Sequence, residues 1–330
     1  MYLVSILIPV YGVEKYIERC ARSLFEQTYD NLEYIFVDDC SPDNSIAILK
    51  KVMEDYPRRK GQVRIIRHER NRGLAAARNT ALDAMQGSFL SHVDSDDYLD
   101  RDAIRLLVNK QVETGADIVT GNYYIVGSNE IEKQFESECE DKQEMLAKTL
   151  SFPAGTHVVW RRLINSRLYK DYHIRPKEGV DNGEDCQQIS QLVYFANKVA
   201  RINDHIYYYN RTNEYSYLFL STCQSNPDLW EQYVESLLIL EDFFSDKEQV
   251  YQDLLRRGII YIIKTRMSLA ARFRQKESFD KLKTIIMTKY ADYYDVIGWD
   301  NPLLRAFMCN YTLNSYYRRF LNTIKICLHR

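Results

Sequence analysis

Hydrophobic positions change in kind along the first hundred residues. Val4 to Val10 (VSILIPV), Glu33 to Val37 (EYIFV), Val63 to His68 (VRIIRH) and Ser88 to Val93 (SFLSHV) are short, mostly contiguous apolar or β-branched runs. Between them lie longer stretches in which apolar residues recur every three or four positions. The short runs suit a pleated surface and predict strands. Ile17, Cys20, Ala21, Leu24 and Phe25 instead fall on one stripe of a helix. Asn44 to Met53 and the alanine-rich Leu74 to Met85 carry similar spacing. Strands alternating with helices predict βαβ units and a parallel sheet. Right-handed crossovers then deliver all four strand ends to one edge, where ligands of open α/β sheets bind.

That edge collects Pro9 and Tyr11, then Asp38 and Asp39, then Asn71, and finally Asp94, Ser95, Asp96 and Asp97. Three carboxylates within four residues repel one another, which points to a cation or a protonated partner among them. The plain structural alternative is a solvated turn whose acids cap the helix that starts near Asp102. Pro9 has no N–H and fixes φ, leaving backbone and the Tyr11 ring available to flank a flat base. Asp39 could accept from a base N–H, although the following Cys40-Ser41-Pro42-Asp43 also wants a turn and a helix cap. Arg72 and Arg78 stand where a basic group could meet phosphate, and a lone arginine on a helix can equally serve an ion pair. No G-x-x-x-x-G-K-[ST] is present and no G-x-G-x-x-G follows the first strand, which argues against P-loop, kinase-like and dinucleotide sites.

Further on, Gly183-Glu184-Asp185 precedes a helix stripe of Ile189, Leu192, Val193 and Phe195, and Tyr207 to Tyr209 read as a strand. Strand signals then fade. Leu229 to Phe244, Tyr251 to Phe273, Phe279 to Tyr294 and Leu303 to Leu328 carry helical spacing, so residues 1–217 are expected to form one domain and 218–330 a helical region. A net charge of −2 argues against nucleic acid as a partner. Seven cysteines without a C-x-x-C pair suggest reduced thiols. No run reaches the roughly 18 to 20 apolar residues that span a bilayer, and MYLVSILIPVYG lacks a basic leader, so a cytoplasmic protein is expected. Asp300 is the last acid. The tail beyond it, with Tyr311, Phe320 and Leu321 beside Arg318, Arg319 and Lys325, has the composition of a helix lying on the inner face of the cell membrane, or of a core helix with a solvated basic side.

Four segments taken together strongly resemble the inverting family 2 glycosyltransferases of the GT-A fold, of the bacterial surface-polysaccharide type. They are Val4 to Tyr11 (VSILIPVY), Val37-Asp38-Asp39-Cys40-Ser41 with Asn44-Ser45, Asn71 to Asn79 (NRGLAAARN), and Asp94-Ser95-Asp96-Asp97. Order and spacing match over the first hundred residues. The likeness continues more weakly to about residue 215 through Trp160 to Leu163, Gly183-Glu184-Asp185 and Tyr207 to Arg211. The resemblance implies an α/β GT-A fold, Rossmann-like with a mostly parallel central sheet flanked by helices, here with a C-terminal helical extension. It implies that Pro9, Tyr11 and Asp39 hold the base, that Asn71 and Arg78 line the nucleotide pocket, that Asp94 meets the ribose and that Arg211 reaches the diphosphate. Asp96, with Asp94 beside it, would ligate Mn²⁺ or Mg²⁺, and Asp185, or else Glu184, would be the general base.

The reaction so implied is metal-dependent transfer, with inversion, of a sugar from a UDP-linked donor to a hydroxyl of a glycan or lipid-linked acceptor in polysaccharide biosynthesis. A nucleotide-sugar-binding subunit of the same fold without catalysis is the alternative. A nucleotidyltransferase would carry a Gly-rich, Lys-containing loop after the first strand, and Pro9-Val10-Tyr11-Gly12 is not one. Cys40 stands where the family usually has Gly, so the loop after Asp39 is expected to turn differently or to need a negative φ. His92 reads as a hydrogen-bonded core residue rather than a ligand. A carboxylate near the start of the helix after Gly183 is expected to stay ionised. Donor and acceptor specificity would lie between Gly121 and Gly183, with Trp160, Arg161 and Arg162 as candidates.

Overall fold

A computed structural model of the chain describes residues 1–135, 141–152, 157–216, 220, 226–293 and 310–312. Its elements run β1 (Val4–Val10), α1 (Ile17–Phe25), β2 (Leu32–Asp38), α2 (Ser45–Asp55), α3 (Pro57–Lys60), β3 (Val63–Arg67), α4 (Leu74–Ala84), β4 (Phe89–His92), β5 (Tyr98–Leu99), α5 (Ala103–Thr114), β6 (Ile118–Val126), β7 (Ile131–Gln134) and α6 (Lys142–Leu150). Then come β8 (Arg162–Asn165), α7 (Ser166–Asp171), α8 (Glu184–Phe195), β9 (Val199–Asn210), α9 (Pro227–Phe244), α10 (Gln249–Arg272) and α11 (Lys276–Lys289). The chain divides into two compact units, residues 1–146 with 156–214, and residues 147–155 with 215–330.

Among the described residues, nine strands of the first unit form one sheet in the order β3-β2-β1-β4-β8-β6-β9-β5, with β7 paired to β6. β3, β2, β1 and β4 are mutually parallel, so their carboxyl ends do share one edge. β8 runs antiparallel to both β4 and β6, which makes the whole sheet mixed. All seven residues of β1 are buried, as expected of a central strand covered on both faces. Pro9 does not end the strand: pairing with β2 continues to Val10, whereas pairing with β4 stops at Leu7. The missing N–H therefore falls where the β4 side no longer needs it.

α1 buries the five residues of its stripe, Ile17, Cys20, Ala21, Leu24 and Phe25. Leu24 and Phe25 join one core with Ile6, Ile8, Tyr34 and Phe36. Each large apolar side chain so covered contributes about 1.5–3 kcal/mol. In the second unit, Trp230, Leu237, Leu240, Phe244, Ile259, Ile263 and Phe279 are buried on α9, α10 and α11. Among the described residues no helix is long and apolar enough to cross a membrane. The expected helix from Leu303 to Leu328 and its basic face lie outside the described residues, apart from 310–312.

Candidate active site

The loops after β1, β2 and β3 are tied together by side chains. Asp38 Oδ1 accepts from Ser41 N, Ser41 Oγ accepts from Gly12 N, and Asp43 Oδ2 accepts from Glu14 N, at 2.8, 2.9 and 2.8 Å. Cys40 sits at φ +59°, in the left-handed region. The expectation of a negative φ is thereby corrected; these ties hold the loop in a conformation that costs a non-glycine residue about 1–2 kcal/mol.

Asp39 lies beneath this surface, 2% exposed. Its Oδ1 accepts from Arg72 N and its Oδ2 from Gly73 N, both at 2.8 Å, and His68 Nδ1 stands 2.6 Å from Oδ1. Both oxygens are therefore committed to the loop that begins α4. Tyr11 and Asn71 are exposed nearby, while Pro9 is buried. Arg72 points outward to an exposed ion pair with Glu178.

Arg78, one turn into α4, is only 1% exposed and meets three acids. Its Nη2 lies 2.9 Å from Asp94 Oδ1 and 3.6 Å from Asp185 Oδ1, and its Nε lies 3.1 Å from Glu184 Oε1. Burial opposes the guanidinium charge, yet Asp94, Asp185 and Glu184 outweigh it and hold Arg78 protonated. A side chain so enclosed organises carboxylates.

Glu184 and Asp185 occupy the first turn of α8, behind Gly183 at the N-cap. The expectation that the helix start keeps Asp185 ionised meets a stronger opposing effect. Burial raises the pKa of both groups, with the Arg78 charge opposing it, and the carboxylate of Asp185 adds to the rise at Glu184. The hydrogen bond between them raises the pKa of Glu184 and lowers that of Asp185, so it favours the proton on Glu184 and the charge on Asp185.

Asp94 is 26% exposed on its side chain and faces Arg78. Asp96 Oδ2 accepts from Asn213 Nδ2 at 2.8 Å, and its carbonyl accepts from Asn210 Nδ2 at 3.2 Å. Burial, then the charge of Asp94, pushes the Asp96 carboxyl up to about 6. Asp97 serves the fold. It is 1% exposed, and its oxygens accept from Tyr207 Oη and Asn210 N, each at 2.7 Å. The capping alternative fits these acids poorly, since Asp102 precedes α5 without a side-chain cap bond and Asp97 bonds β9 instead. Arg211 follows Asn210, exposed, with its guanidinium 5.8 Å from the Tyr209 ring centroid. Among the described residues no ion pair to Arg211 is formed.

His92 is fully buried between these groups. Tyr169 Oη donates to Gln188 Oε1, so the 3.0 Å contact of His92 Nε2 with Tyr169 Oη requires the imidazole to donate. Burial, then Arg78, keeps His92 neutral, which is the core role. Trp160 stacks on Tyr207 at 4.5 Å, Arg161 bonds Gly121 O, and Arg162 bonds Val158 O and Thr120 Oγ1. Both arginines are buried.

Among the described residues no group of three or more His, Cys, Asp or Glu side chains is arranged to hold a metal. The donor set nevertheless fits a hard divalent cation. Asp94 and Asp96 stand two residues apart, and burial, then the charge of Asp94, raises the pKa of Asp96, a rise that a cation held between them would offset. Magnesium and manganese need only one or two carboxylates when phosphate and water supply the rest. Asp96, with Asp94 beside it, would hold the ion.

Residues to which the sequence assigned no role at the site are His68, Asp181, Tyr207, read only as part of a strand segment, and Asn213. The first and last sit in stretches without any motif. For Asp181 there was an indirect signal: α4 opens Gly73-Leu74-Ala75 with no local capping side chain.

The family model Glycosyl transferase family 2 matches residues 5–172, about half of the chain. Glycosyltransferase GlyA of Streptococcus pneumoniae is 33% identical over 223 residues, 62% of this chain and 30% of GlyA. The UDP-Glc:alpha-D-GlcNAc-diphosphoundecaprenol beta-1,3-glucosyltransferase WfgD of Escherichia coli is 32% identical over 172 residues, 52% of this chain and 66% of WfgD. The chain thus spans under a third of the length of GlyA. Residues 1–349 of Staphylococcus aureus TarS, solved with UDP-GlcNAc, share the fold at a TM-score of 0.58 and 21% identity, covering 86% of this chain and 91% of that one. The mannosyltransferase PcManGT from Pyrobaculum calidifontis, solved with GDP-Man and Mn²⁺, does so at 0.55 and 14% identity, covering 96% and 84%. The architecture is therefore of the GT-A type.

Proposed function

The chain belongs to glycosyl transferase family 2, and we propose that it moves a sugar from a nucleotide donor, UDP-linked, to a hydroxyl of a glycan or lipid-linked acceptor, with inversion. The observation that carries this reading is the grip of Arg78 on Asp94, Glu184 and Asp185, which puts the ribose-side carboxylate and a proton-accepting pair on one guanidinium. Relatives support the substrate class: TarS was solved with UDP-GlcNAc, and WfgD acts on a diphosphoundecaprenol-linked sugar.

The ring of Tyr11 flanks the base, and Asp39 holds the loop around it. Asp94 meets the ribose, and the exposed Arg211 reaches the diphosphate. A divalent cation held by Asp96 would offset the negative charge that gathers on the leaving nucleotide. Asp185, ionised beside the protonated Glu184, accepts the proton of the acceptor hydroxyl. The new bond joins the acceptor oxygen to the anomeric carbon while the bond from that carbon to the diphosphate oxygen breaks on the opposite face. The nucleoside diphosphate leaves with the electron pair.

The test is a melting screen against UDP-, GDP- and dTDP-sugars with and without Mn²⁺, followed by turnover of the donor that binds. Asp185→Asn is expected to abolish turnover and spare donor binding, and Asp96→Asn to remove the Mn²⁺-dependent part of binding. Normal turnover in the Asp185 variant refutes the base. Absence of stabilisation by every sugar nucleotide refutes the donor class.

A further inference from the structure

α4 begins without a side chain to cap it, because its N-cap residue is Gly73, at φ +92°. The cap comes instead from 106 residues away, where Asp181 Oδ1 accepts from Ala75 N at 2.9 Å. A methyl group on Gly73 would lie 2.3 Å from Asp181 Oδ2, so glycine alone lets the carboxylate approach. On the same loop Asp39 takes the N–H groups of Arg72 and Gly73. Two carboxylates thus grip the amides of 72, 73 and 75. One belongs to the donor side of the site and the other to the segment that leads into Glu184 and Asp185.

That segment is bound along α4 by further contacts. Asn79 Nδ2 donates to Pro176 O at 3.0 Å, Arg72 pairs with Glu178 at 2.9 Å, and Arg78 meets Glu184 and Asp185. Pro176 and Glu178 are fixed before Asp181, and the acid pair comes three and four residues after it. Along the chain the Asp181 cap thus lies between those contacts and the acid pair.

We propose that Asp181 is a positioning residue for sugar transfer: by capping α4 it fixes the segment before α8, and with it the Glu184–Asp185 pair, against the loop that seats the donor. This rests on Asp185 being the general base. Asp181 acts through that pair and touches no reacting atom. Its carboxylate also occupies the amide end of α4, where an anion would otherwise be stabilised, which leaves the donor diphosphate to Arg211 and the cation.

The experiment compares Asp181→Ala, Asp181→Asn and Asp185→Asn by release of nucleoside diphosphate from the sugar nucleotide chosen in the melting screen. Misplacing a catalytic group by about 1 Å costs up to about 100-fold, so Asp181→Ala is expected to lower kcat by about 10- to 100-fold. Donor KM should stay within about twofold, since ground-state binding is untouched. Asparagine keeps an oxygen for Ala75 N and should restore kcat to within about threefold of the parent. A parental kcat in Asp181→Ala overturns the proposal, as does a parallel loss of donor affinity, or an asparagine variant as slow as alanine. Full turnover in Asp185→Asn sinks the base assignment and the proposal with it. An inactive Asp185→Asn beside a parental Asp181→Ala sinks the positioning role alone.

Discussion

His68 Nδ1 lies 2.6 Å from Asp39 Oδ1, and Nε2 of the same ring lies 2.8 Å from Thr80 Oγ1, so one buried imidazole joins the end of β2 to the middle of α4. Removing it leaves a buried carboxylate short of a donor. His68→Ala is expected to lower the unfolding free energy by about 1–3 kcal/mol. His68→Asn, whose amide can still donate to Asp39, should recover part of it. Urea denaturation measures both, and an unchanged midpoint in the alanine variant contradicts the role.

Arg78 compensates three partly or fully buried acids, and breaking such a set from the cationic side costs about 3–5 kcal/mol. Arg78→Met should destabilise by that order at pH 7.5. Without the guanidinium the carboxylates favour their protonated forms, so the deficit should shrink as the pH is lowered toward 5. A deficit that grows on acidification would rule out this account.

Tyr207 Oη donates to Asp97 Oδ2 at 2.7 Å and accepts from Asp94 N at 3.1 Å. Burial, then Asp97, keeps the phenol protonated and able to donate. Tyr207→Phe removes both bonds with little change of volume and is expected to cost about 1–3 kcal/mol. Because Asp94 loses its backbone anchor, donor affinity should fall as well; thermal melting and donor titration read the two effects separately.

Asp96 has its folded pKa raised to about 6, above the roughly 3.9 of an unfolded aspartate. A carboxyl raised in this way favours the folded state below the unfolded value, and that contribution is lost as the pH climbs from about 4 to about 6. A divalent cation competes with the same proton. Stabilisation by Mn²⁺ should therefore be large at pH 7.5 and small at pH 5. Equal shifts in melting temperature at the two values would show that Asp96 is not the site.

Some of this was written locally in the chain. The stripe of α1 is all five of Ile17, Cys20, Ala21, Leu24 and Phe25 because a helix exposes its period of 3.6 directly in the spacing of apolar residues. β1 keeps its predicted bounds because a fully buried strand needs an unbroken apolar run. Right-handed crossovers then brought Asp39, Asn71 and Asp94 to one edge without further information.

What the sequence could not decide is which partner each polar group would take. Asp39, Asp97 and Asp181 look alike in sequence, yet one holds the loop before α4, one holds β9 and one caps a helix 106 residues away. The charges of Glu184 and Asp185 are set by burial and by Arg78, both properties of packing rather than of neighbours in the chain. Periodicity and local turns determined the elements and the order of the edge, because those depend on residues a few positions apart. Protonation, hydrogen-bond partners and the capping of α4 were decided only when segments far apart in sequence were packed out of water.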